Sequence, residues 1–239
     1  VNVLAIDVGG SHVKLLVSNA SEPRRFVSGP KMTPELMVAG IHSLLGDWKF
    51  DVATIGYPGP VQNNHIIAEP HNLAPGWLGY DFEKALGCPV KLINDAAMQA
   101  LGDYKGGKML FLGLGTGLGT TMIADGVILP MELGHLPYKK ATFEDYVGEL
   151  GLEKRGKKKW RAHVEDVVAR LTAALMPDDI VLGGGNARLL DPLPARCRVG
   201  ANTNAFPGGF RMWEPAPQPP ASKAPAPKAP ASKALAPKA

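Results

Sequence analysis

Two stretches decide the fold: Val3-Leu-Ala-Ile6 running into Asp7-Val-Gly-Gly10 and out through Val13 to Val17, and Met109-Leu-Phe-Leu-Gly-Leu114 running into Gly115-Thr-Gly-Leu-Gly119 and out through Thr120 to Ala124. In each, a short apolar run meets a glycine-rich turn and a second apolar run returns, the pattern of a β-hairpin. Repeating this unit about a hundred residues apart implies two similar lobes. Between and after the hairpins, apolar strands alternate with helical stretches. The chain has a helix at about Pro34 to Leu45, strands at Val52 to Ile55 and Pro89 to Ile93, and a helix at Ala96 to Tyr104. From Trp160 the residues Val164, Val167, Val168, Leu171 and Leu175 recur at helical spacing up to Pro177, which ends that helix. Ile180 to Leu182 then opens into Gly183-Gly184-Gly185-Asn186, with a helix expected from Ala187. The alternation predicts an α/β architecture.

The bulk properties narrow the class. At 239 residues, 45% hydrophobic and 20% charged, the chain can bury a sizeable core. Two cysteines, Cys88 and Cys197, are too few for a disulfide framework or paired metal knuckles, so a reducing, cytoplasmic setting is expected. No segment approaches the ~20 apolar residues needed to span a bilayer, and neither secretion nor membrane insertion is expected. The net charge is +4. Residues 215 to 239 hold four lysines and no acid; removing them from the 26 basic residues leaves 22 against 22 acidic ones. A neutral body argues against nucleic acid as a partner. That Pro/Ala/Lys tail, with Pro220 to Ala224 repeated at Pro230 to Ala234, has Leu235 as its one large apolar side chain and is expected to be disordered. The remaining local charge is Lys154, Arg155, Lys157, Lys158, Lys159 and Arg161, which reads either as a solvated surface or as an anion site.

A strand that turns through glycines can aim backbone N–H groups at an anion because no Cβ blocks its approach, and Ser11 and Thr116 add hydroxyl donors. Neither loop fits a P-loop or the helix-opening glycine pattern of dinucleotide folds. Asp95 follows an apolar strand directly, either as a carboxylate projecting into a cleft or as a cap of the helix that begins beside it. Asp7 follows the first strand and can either cap its own turn or help to hold a divalent cation.

The ordered set of motifs resembles the ROK family of sugar kinases over residues 1 to about 214. Asp7-Val-Gly-Gly-Ser-His-Val-Lys14 and Leu114-Gly-Thr-Gly-Leu-Gly119 look like its two phosphate motifs, and Ile180-Val-Leu-Gly-Gly-Gly-Asn186 looks like its adenosine-side motif. Asn72-Leu-Ala-Pro-Gly-Trp77, Ile93-Asn-Asp-Ala96 and Glu132-Leu-Gly-His135 are similar to its sugar-binding motifs. The resemblance implies a two-lobed actin-like ATPase (ribonuclease H-like) fold, with an N-terminal lobe at 1–96, a C-terminal lobe at 97–214 and the sugar site in the cleft between them. It makes Asp95 the base acting on the primary hydroxyl of the sugar, and Asn72, Asn94, Glu132, His135 and Glu144 sugar ligands. Asp7, Gly9, Gly10, Ser11, Lys14, Gly115, Thr116, Gly117, Gly183, Gly184 and Gly185 become donor ligands, with Mg²⁺ held by Asp7 through water. Many members carry a cysteine-rich zinc site after the His. No cysteine lies between Cys88 and Cys197, so zinc is not expected, and Thr142-Phe-Glu144-Asp-Tyr146 is read as supplying the next sugar-binding Glu.

That loss, Glu132-Leu-Gly-His-Leu-Pro-Tyr138, the stretch Gly151 to Trp160 and Asn202-Thr-Asn-Ala-Phe-Pro-Gly-Gly-Phe210 resemble the polyphosphate glucokinases within the family. The partners expected are therefore glucose and polyphosphate or ATP, with Lys157, Lys158 and Lys159 holding polyphosphate, no membrane partner, and the chain acting as a homodimer. Two alternatives stay open: an ATP-dependent hexose or amino-sugar kinase of the same fold, and a sugar-sensing regulator, which would need a helix-turn-helix ahead of the first motif.

Overall fold

The computed structural model describes residues 1–215, so the expected disordered tail lies outside the described residues beyond Pro215. Strand β1 (Val3–Val8) turns back as β2 (His12–Val17), and β3 (Arg24–Val27) continues the antiparallel meander. Helix α1 (Pro34–Leu45) follows. Thr33 caps it by accepting the Leu36 N–H, and Pro34 stands in the first turn, where a missing N–H costs nothing. β4 (Val52–Tyr57) then pairs parallel with β1. A small hairpin of β5 (Val61–Gln62) and β6 (His65–Ile66), then α2 (Phe82–Leu86), lead to β7 (Val90–Asn94), parallel to β4.

Helix α3 (Asp95–Asp103) carries the chain into the second half, where the pattern repeats. β8 (Lys108–Leu114), β9 (Leu118–Ala124) and β10 (Val127–Met131) form the second meander. The short β11 (Pro137–Tyr138) and β12 (Ala141–Thr142), α4 (Phe143–Val147) and α5 (Glu149–Leu175) lead to β13 (Asp179–Gly183), parallel to β8, and β14 (Cys197–Val199), parallel to β13. The chain ends in α6 (Ala205–Arg211). The sheets are ordered β3-β2-β1-β4-β7 and β10-β9-β8-β13-β14. Counted within each five-stranded sheet, leaving out the small β5-β6 and β11-β12 pairs, both therefore run third, second, first, fourth, fifth, the ribonuclease H-like unit. Doubled, it is the two-lobed actin-like ATPase fold.

The burial follows the pairing. β1 and β4, flanked on both sides, are buried almost throughout, whereas the edge strands β3 and β10 are largely open. The first sheet packs on α1 through Leu4, Ile6, Leu15, Met37 and Ile41. The second packs on α5 through Leu110, Leu112, Trp160, Val164 and Leu171. Helix α3 lies between them, with Met98 and Ala97 in one cluster and Ala100 beside Phe111 and Val181 in another.

Helix α6, in the stretch read from sequence as C-terminal lobe, packs on β1 and β4 of the first sheet: Thr54 Oγ1 donates to the Gly209 carbonyl at 2.8 Å, and Trp213 Nε1 donates to Thr54 Oγ1 at 2.9 Å. It meets α3 so closely that a Cβ on Gly208 would overlap the Met98 carbonyl. Below this crossing, Arg198 spans Asp179 (2.8 Å) and Asp103 (3.3 Å), and Asn204 Nδ2 donates to Asp103 at 2.7 Å.

Two expected elements differ. The basic stretch 154–161 lies within a helix that starts at Glu149 rather than near Trp160, broken at Gly156 by a φ of 73° that glycine tolerates. The helix expected from Ala187 is a single turn, Ala187–Leu189. No helix among the described residues is long and apolar enough to cross a membrane.

Candidate active site

The two glycine hairpins face each other across a cavity of about 590 Å³. On one wall, Asp7 near the end of β1 stands opposite Lys14 on β2, and their side chains form an ion pair at 2.9 Å. Gly10 and Ser11 of the turn line the cavity beside them. Gly10 faces Asn72, with room for no more than van der Waals contact: a Cβ there would lie 3.4 Å from the Asn72 Cβ.

The floor is the junction of β7 and α3. Asn94 takes the cap position, its Oδ1 accepting the Ala97 N–H at 3.1 Å while its Nδ2 donates to the Gly59 carbonyl at 3.1 Å. Asn94 thus satisfies the helix end, and Asp95 is the first residue of the helix, with Oδ1 accepting the Ala96 N–H at 2.8 Å. Burial, followed by the nearby negative charge of Asp7 and more weakly that of Glu132, pushes the Asp95 carboxyl up to about 7 against the opposing Ala96 hydrogen bond. A carboxylate poised there can accept a proton at neutral pH.

The far wall is built by the β8–β9 turn and α4. The Glu149 N–H donates to the carbonyls of Gly115 (3.0 Å) and Thr116 (3.1 Å), so the start of α5 braces the loop. A capping box between Thr142 and Asp145 starts α4 and places Glu144 in its first turn. Glu144 Oε2 accepts the Leu118 N–H at 3.2 Å. His135 lies between two carboxylates, 3.7 Å from Glu132 and 3.9 Å from Glu144, too far for hydrogen bonds and open to a ligand that could join them. At the other end, the Asn186 N–H donates to the Leu114 carbonyl at 3.0 Å, docking the third glycine turn against the second.

Of the residues singled out from sequence, Asp7, Gly10, Ser11, Lys14, Asn72, Asn94, Asp95, Gly115, Thr116, Gly117, Glu132, His135, Glu144 and Gly184 line this cavity together. Gly9, Gly183, Gly185 and Lys157, Lys158 and Lys159 are not among its lining. Gly9 closes the first hairpin through its N–H to the His12 carbonyl at 3.0 Å, and Gly183 sits under Phe111 where a side chain would collide. The three lysines are exposed on α5. Their neighbours have structural tasks: Arg155 stacks on Tyr146 at 3.8 Å, and Arg161 donates to the Leu189 carbonyl at 2.7 Å.

The cavity also takes in residues that the motifs did not flag, among them Glu69, His71 and Gln99. Gln99 stands one helical turn after Asp95 on the same face of α3, a spacing that could have found it.

Among the described residues, no group of three or more His, Cys, Asp or Glu side chains forms a cluster able to hold a metal by itself. The single carboxylate of Asp7, part-buried on the cavity wall, fits Mg²⁺, which takes most of its oxygens from water and phosphate.

The chain is similar to known proteins in sequence and in fold. The polyphosphate glucokinase of Mycobacterium tuberculosis (strain CDC 1551 / Oshkosh) is 26% identical over 209 residues, covering 78% of each chain. The crystal structure of the inorganic polyphosphate/ATP-glucomannokinase from Arthrobacter sp. strain KM superposes with a TM-score of 0.73 at 24% identity, over 87% of this chain and 96% of that one. A ROK family glucokinase from Streptomyces griseus, in complex with glucose and AMPPNP, gives 0.72 at 15% identity over 87% and 97%. At these identities the two superpositions establish the fold. A family model described as ROK family matches residues 3–150, more than half of the chain. The chain belongs to the ROK family.

Proposed function

We propose that this chain is a sugar kinase that transfers a phosphoryl group to the primary hydroxyl of glucose, giving glucose 6-phosphate, with polyphosphate and ATP as donors. The observation that carries this reading is Asp95: a half-buried carboxylate, one oxygen of which accepts the Ala96 N–H, pushed up to about 7 by burial and the Asp7 charge on the floor of a cleft whose walls are two glycine hairpins.

The sugar lies over Asp95, with Asn72, Asn94, Glu132, His135 and Glu144 placed to accept from or donate to its hydroxyls. Asp95 accepts the proton of the primary hydroxyl as that oxygen forms its bond to the terminal phosphorus of the donor and the bridging P–O bond breaks. Backbone N–H groups of the two loops, with Ser11, Thr116 and the Lys14 ammonium, hold the phosphates in line. Mg²⁺ beside Asp7 would neutralise donor phosphate charge. The donor reading is supported by the likeness to relatives named for polyphosphate, with the exposed run Lys157 to Lys159, beyond the Gly156 break in α5, as its candidate polyanion contact. ATP use is read from the resemblance of the Gly183 to Asn186 turn to the family's adenosine-side motif, with Gly184 on the cavity wall.

The test is to incubate the protein with glucose, Mg²⁺ and polyphosphate and to locate the new phosphate by ³¹P and ¹³C NMR. Phosphate on the C6 oxygen, lost in Asp95→Asn, supports the proposal. Phosphorylation at another position, or of an amino sugar in preference, overturns it.

A further inference from the structure

We propose that Glu69 is a positioning residue for the acceptor end of the cleft, clamping the loop from Asn72 to Gly79 so that Asn72 is held against the first glycine hairpin. This rests on the sugar-kinase reading above and extends it to a residue outside the sugar motifs. Glu69 Oε2 accepts the N–H groups of Gly76 and Trp77, each at 3.0 Å, and Oε1 accepts that of Leu78 at 3.4 Å. Three successive backbone donors thus converge on one carboxylate, as they would on a bound anion, but the anion is the chain's own side chain. Gly76 sits at φ 112°, in the region reserved for glycine, at the start of this turn. Although partial burial opposes it, the three N–H groups hold the Glu69 carboxyl below its usual range, so it is an ionised acceptor at neutral pH.

The clamp fixes the backbone of a loop already anchored in the core by apolar side chains. Leu73 and Trp77 are buried, the Ala74 N–H donates to the Met32 carbonyl at 3.1 Å, and Trp77 Nε1 donates to the Ala74 carbonyl at 2.8 Å. Asn72 itself is exposed on the cavity wall beside Gly10. Glu69 lines the cavity, and the part proposed for it is to hold the loop through its three backbone N–H contacts.

The experiment is a double-mutant cycle on glucose saturation at fixed donor, comparing the unaltered chain, Asn72→Ala, Glu69→Ala and the pair. Losing a charge-assisted clamp is expected to raise the KM for glucose about tenfold in Glu69→Ala while moving the donor KM less than about twofold. The double variant should be no worse than Asn72→Ala alone, because both changes remove one function. Glu69→Gln keeps one carbonyl oxygen for Gly76 and Trp77 and should recover most of the loss; Glu69→Met, similar in length but without an acceptor oxygen, replaces Glu69→Ala in the cycle if that variant does not fold. Multiplying effects, or an unchanged glucose KM in Glu69→Ala, overturn the proposal. Amide hydrogen exchange judges the clamp without any sugar: exchange at Gly76, Trp77 and Leu78 should accelerate about tenfold or more in the variant, and unchanged exchange there overturns it. Whether the unaltered chain turns over glucose at all judges the reading of the cleft separately.

Discussion

Replacing Asp95 with Asn should make the protein more stable and nearly inactive at once. The amide keeps the shape of the carboxylate, can still accept the Ala96 N–H, and leaves the helix cap on Asn94 intact. It cannot take the hydroxyl proton, so kcat should fall ~10²-fold or more, the range of general-base contributions. The native carboxyl, near 7, holds its proton more tightly than the same group in the unfolded chain, near 3.8, so ionising it in the fold costs free energy. That cost is absent below pH ~4, grows as the pH rises from about 4 to 7, and is constant above. A separation of that size corresponds to at most about 4 kcal/mol, part of which water entering the open cleft screens, so a gain of about 1 kcal/mol or more is expected at pH 8. Urea unfolding of both proteins at pH 4 and pH 8, beside initial rates at pH 8, measures both effects. Equal stability at pH 8, or a near-normal kcat in the variant, would refute the reasoning that this is a proton acceptor strained by its own site.

Other consequences can be tested alongside. Neutralising Lys157, Lys158 and Lys159 together should raise the KM for polyphosphate strongly and flatten its salt dependence, with the KM for glucose little changed; a triple variant with unaltered polyphosphate kinetics would remove these lysines from the donor path. Removing Mg²⁺ with a chelator should stop turnover, whereas a zinc-selective chelator should change neither rate nor Tm, and stoichiometric zinc in the purified protein would contradict this. Arg198→Ala should destabilise the fold by about 3 kcal/mol in urea, because it leaves Asp103, almost fully buried, facing Asp179 without a cation. Gly184→Ala should weaken ATP use, since φ there is 80° and a Cβ would collide with the Leu114 backbone; unchanged ATP kinetics would place the purine elsewhere.

The architecture was legible because its signals are local. Each apolar-glycine-apolar hairpin specifies two paired strands without reference to distant residues, and finding it twice implied two sheets, whose shared strand order the structure shows. The helix from Pro34 to Leu45 matched because Thr33, Pro34 and Gly46 punctuate it. What could not be read were contacts made by folding back. Nothing in Ala205–Arg211 says that it lies on β1 and β4, since the two glycines that allow the crossing, Gly102 and Gly208, are 106 positions apart and carry no pattern. Glu69 escaped for a related reason: its partners are backbone N–H groups, which every residue has, and only the turn at Gly76 converges them. Asp95 was ambiguous because cap and catalytic carboxylate look alike in sequence. The register of α3 gives the cap to Asn94 and leaves Asp95 in the first turn with one oxygen on the Ala96 N–H, so its catalytic role rests on the kinetic test.

The central claim is that this cleft phosphorylates glucose through Asp95 with either donor, and the most direct measurement is initial-rate formation of glucose 6-phosphate with polyphosphate and with ATP in parallel, from pH 5 to 9. The account predicts product with both donors, dependence on Mg²⁺, and one shared acid limb near pH 7, because the base acts on the acceptor whatever the donor. No glucose 6-phosphate with either donor, or rates that stay flat below pH 7, would contradict it.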